Sequence, residues 1–228
     1  MRTIRVVNLG LTGYAECWRQ QQRLFELRST NTIGDLLLLT EHHHVYTIGK
    51  GGNDSHLLAD DQELRLKGIQ VFHNDRGGDI TYHGPGQLVG YPILDLNNYR
   101  RDLHRYLRDL EEVIIRSLSQ YGISGSRDAR YTGVWVGDKK ICAIGIKTRQ
   151  WVTMHGFALN INTDLSFFER IIPCGIAERG VTSLQEHLGR VVPLNEVARG
   201  VIHEFGDVFG ALMDTSPAGE ALDSLKAA

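Results

Sequence analysis

The chain has 228 residues, with 25 Lys and Arg against 27 Asp and Glu, a formal charge of -2. That balance argues against a general nucleic-acid binder, which carries a basic excess, and no apolar run approaches the ~18 residues of a membrane span. Three scattered cysteines, Cys17, Cys142 and Cys174, lack the C-x-x-C spacing of a zinc site and do not suggest a disulfide framework.

Taken in chain order, residues 3 to 9 read as a strand and Tyr14 to Leu27 as a helix, with Trp18, Gln22 and Phe25 near one face. Asp35 to Thr40 and Val45 to Ile48 are short, apolar strands. Gly49 to Asn53 is a loop by composition. Ile69 to His73 is a strand, and a glycine-rich stretch follows. Leu88 to Leu96 is a further strand in which Pro92 suggests an edge or a bulge. Leu103 to Leu118 is the clearest helix, with Leu103, Tyr106, Leu107, Leu110, Val113, Ile114 and Leu118 on one stripe. Gly133 to Val136 and Lys140 to Lys147 form a hairpin through Gly137-Asp138, where Gly in the first turn position suits type II′. Val152 to Ile161 is the next strand. A last helix is expected from Asn195 to about Leu212. Strands bunch in the middle and long helices stand apart, which predicts an α+β fold with a mixed, mostly antiparallel sheet. One domain is expected over residues 1–215, with a mobile tail over 216–228. The opening Met1-Arg2-Thr3-Ile4-Arg5 lacks the apolar core of a signal peptide, so a cytoplasmic protein is expected.

Four features could carry chemistry. Glycine is frequent, 25 of 228, and Gly77, Gly78, Gly84, Gly86 and Gly90 crowd one stretch. The run Arg76 to Gln87 fits neither the dinucleotide fingerprint nor a Walker A loop. Its backbone must turn sharply and lie against something flat or narrow, with Arg76, Tyr82 and His83 as donors around it; the plain alternative is a surface loop. Cys174, between Pro173 and Gly175, sits in irregular backbone where N–H groups could face an oxyanion. Buried, inert cysteine is nevertheless the commoner state; Cys142 in an apolar strand and Cys17 in a helix read that way. Lys140 shares strand parity with Cys142, Ile144 and Ile146, so it would begin a core-facing row; composition does not choose among Lys139, Lys140 and Lys147. His42, His43 and His44 alternate faces on a strand, and no H-E-x-x-H or Cys-His spacing is present, so no metal site is expected.

Arg76-Gly77-Gly78-x-x-Thr81-Tyr82-His83-Gly84-Pro85-Gly86-Gln87-Leu88 with Pro92-Ile93 resembles the signature of the lipoyl(octanoyl) transferases of lipoate biosynthesis. The resemblance extends through Tyr46 to Lys50, Tyr131 to Trp135, Lys140 to Gly145, His155 to Asn160, Pro173 to Gly175 and Val181 to Leu184. It covers residues 41–185 in family order. One departure is His44, where family members often carry proline before Val-Tyr-Thr.

The resemblance implies a fold similar to the catalytic domain of biotin and lipoate protein ligases. It implies transfer of an octanoyl group from the phosphopantetheine thioester of acyl carrier protein to a lysine ε-amine. The acceptors would be lipoyl domains of 2-oxoacid dehydrogenase complexes and the glycine cleavage H protein. Cys174 would carry the acyl thioester and Lys140 would lower its pKa. Arg76, Gly77, Gly78, Asp79, Ile80, Thr81, Tyr82 and His83 match substrate-contacting segments, as do Ala143, Ile144, Gly145, Gly156, Phe157 and Ala158. No cofactor, metal, nucleic acid or membrane is implied, and a monomer is expected. His83 and His155 are rival bases for a cysteine, expected instead to shape the site by hydrogen bonding. Arg101, Arg105 and Arg108 beside Arg100, or Lys147 and Arg149, could steer acidic partners; the alternative is a solvated face paired with Asp102, Asp109, Glu111 and Glu112. Competing activities are an ATP-dependent ligase on the same fold, a non-catalytic acyl-binding module and a thioesterase.

Overall fold

The computed structural model describes residues 2–172 and 179–216. In chain order the elements are β1 (Arg2–Thr12), α1 (Tyr14–Ser29), β2 (Asp35–His42), β3 (Val45–Ile48), α2 (Asp61–Leu66), β4 (Gln70–His73), β5 (Ile80–His83), β6 (Gln87–Ile93), α3 (Leu103–Ser119), β7 (Ser126–Arg127), β8 (Val134–Val136), β9 (Lys139–Arg149), β10 (Val152–Asn160), α4 (Leu184–Leu188), α5 (Leu194–Phe209) and β11 (Ala211–Asp214).

Strands that are apolar on both faces must lie centrally. β6 and β10 are buried along their whole length, and β2 nearly so. They form the middle of an eight-stranded sheet in the order β11-β1-β2-β6-β10-β9-β8-β7. β1 runs parallel to both β11 and β2, and the other pairs are antiparallel. A second sheet, β4-β3-β5, is likewise mixed. The α+β expectation of a mixed, mostly antiparallel sheet holds.

Helices α3 and α5 cover one face of the large sheet. Asp102 caps α3 by accepting the Arg105 N–H at 3.0 Å. Its stripe buries Tyr106, Leu110, Val113, Ile114 and Leu118. Each apolar side chain contributes roughly 2 kcal/mol before the entropy of ordering it. Helix α1 packs on the opposite face, over β6 and β10. Its last turn is tied to the start of β2, where buried Arg28 pairs with Asp35 at 2.7 Å and reaches Asp95 at 3.5 Å. Among the described residues no helix is long and apolar enough to cross a membrane.

Four expectations need correction. The last helix stops at Phe209, because Gly210 takes a left-handed φ of 58° that closes it. Ala211 and Leu212 belong instead to β11 against β1. Pro92 lies in an interior strand, opposite Leu37 of β2. Its ring carbon Cδ faces Gly156, where the ladder between β6 and β10 has already ended at Gly90 and Phe157. The missing N–H therefore costs no ladder bond. The end of the glycine-rich stretch is partly strand, since Ile80–His83 pairs with β3. Lys140 does not share a row with Cys142: Trp135 faces Lys140 and Val134 faces Cys142, with a register shift between. Ile141 is the extra residue of a β-bulge, which reverses the alternation. The hairpin turn is as expected, with Gly137 at φ 62°. The tail expected over 216–228 lies, beyond Ser216, outside the described residues.

Candidate active site

Cys142 and Ile144 of β9 pack into the core under α3 and α5, so Ala143 and Gly145 take the other face. Ala158 of β10 and Val89 and Tyr91 of β6 pack on that same α1 side. These residues floor a cleft that crosses three strands. Its roof is the segment 76–83, whose Gly77 N–H donates to Ile146 O at 2.8 Å. Tyr14, at the start of α1, adds a wall.

Gly145 permits the close approach of roof to floor. A Cβ there would stand 2.7 Å from Gly77 O and 3.3 Å from Arg76 Cδ. Arg76 is held by its guanidinium, which donates through Nη2 to Thr47 O at 2.6 Å and to Thr47 Oγ1 at 2.9 Å. Asp79 accepts the N–H of Asn53 at 3.1 Å and of Ile80 at 2.7 Å, and meets His56 Nδ1 at 2.5 Å. One carboxylate thus ties the loop after β3 to the roof.

Of the expected substrate-contacting residues, Arg76, Gly77, Gly78, Asp79, Thr81, His83, Ala143, Ile144, Gly145, Gly156, Phe157 and Ala158 line this cleft. Ile80 and Tyr82 do not. Alternation along β5 turns them into a separate cluster with Tyr46, Ile48 and Phe168. His44 serves that cluster too: its Nδ1 lies 2.7 Å from Tyr82 Oη and its ring stacks on Phe167 at 4.4 Å. The residue that replaces the family's frequent proline is a packed, hydrogen-bonded part of the cluster. His155, Tyr14, Val89 and Tyr91 complete the cleft, and the last three were not anticipated. The alternation of the strand 88–96 could have signalled the last two; nothing in the sequence joins Tyr14 to it.

The two expected histidines occupy different surroundings. Burial pushes His83 down to about 3, so it is neutral at physiological pH. Its Nδ1 lies 2.8 Å from Gln87 Oε1. His155 takes a left-handed φ of 61° within β10, a sparsely populated conformation for such a residue. Its Nε2 lies 2.8 Å from Asp75 Oδ1. Burial lowers its pKa, against the opposing pull of Asp75. The His155 hydrogen bond first, then Lys147, holds Asp75 well below the usual carboxylate range despite partial burial. Both histidines are thus engaged in hydrogen bonds.

The three lysines also differ. Lys139 is exposed and pairs with Glu186 at 3.0 Å. Lys147 pairs with Asp75. Lys140 is only 7% exposed, and its Nζ sits 4.8 Å from the Trp135 ring centroid. Because of the bulge, it lies on the same face of β9 as Ala143 and Gly145. Its N–H donates to Gly180 O and its carbonyl accepts from Thr182 N, both at 3.0 Å. Cys17 and Cys142 are buried. Burial pushes the Cys17 thiol up to about 12 and the Cys142 thiol higher still. Cys174 lies outside the described residues. The basic groups expected to steer partners are paired within the chain: Arg105 with Asp109, Arg108 with Glu111, Lys147 with Asp75 and Arg149 with Glu26.

A mixed sheet that carries an apolar cleft roofed by glycine backbone defines a class. Residues 13–206 match the family model of the lipoyl protein ligase A/B catalytic domain. Among solved structures, lipoate-protein ligase A bound with ATP superposes with a TM-score of 0.81 at 18% identity, covering 100% of this chain and 93% of that one. A bipartite lipoate protein ligase from Thermoplasma acidophilum gives 0.79 at 18% identity, over 100% and 91%. Such distant likeness shows the fold alone. Sequence relatives are much nearer. The octanoyltransferase of Rubrobacter xylanophilus is 57% identical over 88% of this chain and 91% of its own. That of Caldicellulosiruptor bescii is 48% identical over 98% and 99%. The chain belongs to the octanoyltransferase family, and its activity is acyl transfer.

Proposed function

We propose that the chain takes an octanoyl group from the phosphopantetheine thioester of acyl carrier protein onto Cys174. From there the group passes to a lysine ε-amine on a lipoyl domain, such as those of 2-oxoacid dehydrogenase complexes or the glycine cleavage H protein. The observation that carries the reading is the 57% identity to an octanoyltransferase over most of both chains. The apolar cleft roofed by residues 76–83 suits an extended alkyl chain.

The chemistry balances without ATP. The Cys174 thiolate attacks the thioester carbonyl, and the phosphopantetheine thiolate leaves and takes a proton. The acceptor amine, once deprotonated, attacks the new thioester and expels the Cys174 thiolate. Exchanging a thioester for an amide makes the second step favourable, and two acyl transfers give ping-pong kinetics. A free thiol, with a pKa of ~8.5, is only a few per cent ionised at pH 7. Bringing it to about 7 makes it half ionised and corresponds to ~2 kcal/mol. Lys140 is the ammonium assigned to that task, and once neutral it takes the proton of the incoming amine. Arg76, Gly77, Gly78, Asp79, Thr81 and His83 form the acyl site with Ala143, Ile144, Gly145, Gly156, Phe157 and Ala158. Their walls exclude water, which protects the thioester from hydrolysis.

The test is transfer from octanoyl-acyl carrier protein to a lipoyl domain with no nucleotide present. Transfer at an undiminished rate supports the reading. Modification only with free octanoate and ATP would make the protein a ligase.

A further inference from the structure

A one-way chain of buried hydrogen bonds joins the cleft to Lys140. Arg76 Nη2 donates to Thr47 Oγ1 at 2.9 Å, and that hydroxyl faces His83 Nε2 at 3.4 Å. His83 Nδ1–H donates to Gln87 Oε1 at 2.8 Å. Gln87 Nε2 donates to Asn160 Oδ1 at 2.9 Å and to Tyr82 O at 3.1 Å. Asn160 Nδ2 donates to Thr182 O at 3.0 Å, and Thr182 N–H donates to Lys140 O at 3.0 Å. The direction is forced. Thr182 O only accepts, so Asn160 must turn its nitrogen there and its oxygen to Gln87. Gln87 then shows its oxygen to His83, which fixes the proton on Nδ1. Gln87, Asn160 and Thr182 are all buried, where aligned hydrogen bonds polarise and strengthen one another.

The position of Asn160 explains why such a chain is needed. The ladder between β10 and β9 ends at Leu159 and Cys142, so β10 does not reach Lys140. Beyond that point the segment 180–182 becomes the neighbour of β9, through a parallel bridge between Lys140 and Val181. Asn160 is the last residue of β10, and its side chain splices the departing strand to the arriving segment. Thr182 is pinned on its other side as well, donating from Oγ1 to Glu186 Oε2 at 2.8 Å.

We propose that Asn160 is a positioning residue for the acyl-transfer reaction, the joint that holds Lys140 in register with the acyl cleft. This rests on the reading of Lys140 as the lysine that acts on the thiol. Removing the Asn160 amide leaves Thr182 O buried without its donor and frees the segment beside Lys140 to shift.

The experiment follows single-turnover formation of the octanoyl-enzyme from octanoyl-acyl carrier protein between pH 5.5 and 9, by intact mass. It compares wild type, Asn160→Ala, Lys140→Ala and the double variant. Asn160→Ala is expected to slow acylation at pH 7 by ~10- to 100-fold and to move the midpoint of the pH profile upward. Half-saturation by the donor should stay within about two-fold of wild type. In the Lys140→Ala background the second substitution should do nothing more, because the two act through one group. Multiplying losses in the double variant, or slowing with an unmoved midpoint, would overturn the proposal. If Lys140→Ala displaces the midpoint and Asn160→Ala does not, this inference falls alone. If Lys140→Ala leaves the profile unchanged, the reading of Lys140 fails and takes the inference with it. Should Asn160→Ala not fold, Asn160→Leu keeps the shape, deletes the amide donor to Thr182 together with the acceptor for Gln87 and adds no charge, and is judged by the same outcomes.

Discussion

Gly145→Ala puts a single methyl group between the roof and floor of the cleft. Its Cβ would lie 2.7 Å from Gly77 O, whereas ordinary contact begins near 3.4 Å, so the roof must retreat by roughly 0.7 Å. The φ of Gly145 is not left-handed, so alanine meets no backbone penalty and the effect is steric. Retreat stretches the Gly77 N–H bond to Ile146 O, worth about 1 kcal/mol. Overpacking costs a further ~1–3 kcal/mol. A total of roughly 2–4 kcal/mol in the acyl site slows octanoyl-enzyme formation by ~30- to 1,000-fold. The assay is single-turnover acylation by octanoyl-acyl carrier protein, with thermal unfolding alongside. A Gly145→Ala enzyme that acylates at the wild-type rate with an unchanged Tm would refute the slot, because the roof could not then rest on β9.

Further outcomes follow from the buried polar groups. His42 and His83 are held at about 4 and about 3 by burial, below the ordinary 6.5. Depressed folded-state values mean the unfolded chain binds protons first, so stability falls as pH drops from 6.5 towards 4. Each histidine costs about 2 kcal/mol at pH 5 relative to pH 7; urea titrations should show the loss, and His42→Phe should flatten part of it. Arg28→Ala should destabilise by ~3–5 kcal/mol, since it leaves Asp35 buried without its guanidinium; an unfolding midpoint within error of wild type would contradict the buried pair. Cys142 should resist iodoacetamide in the native protein at pH 8, because its thiol is fully buried and protonated; peptide mapping that finds it alkylated as fast as in urea would show that β9 opens.

Long elements were legible because their periodicity runs for several turns or alternations. The α3 stripe and the strands β2, β3 and β10 fall where the spacing puts them. The short helices Asp61–Leu66 and Leu184–Leu188 have too few residues for a period to emerge, and β11 is held by its pairing with β1. The cleft segments were recognised from the glycine block and its companions, but their facing was not. Ile80 and Tyr82 turn away because residues 80–83 form a strand rather than a loop. Lys140 reaches the cleft face of β9 only because the bulge at Ile141 breaks the simple alternation. The left-handed His155 and the splice at Asn160 depend on tertiary partners, Asp75 and Thr182, distant in sequence. No local pattern encodes such pairings.

The most direct test of the account is intact-protein mass spectrometry after incubation with octanoyl-acyl carrier protein, on wild type and Cys174→Ala, followed by a lipoyl domain without ATP. The account predicts one octanoyl adduct on wild type only, discharged when the lipoyl domain is added. An adduct that persists in Cys174→Ala, or transfer by that variant at the wild-type rate, would contradict it.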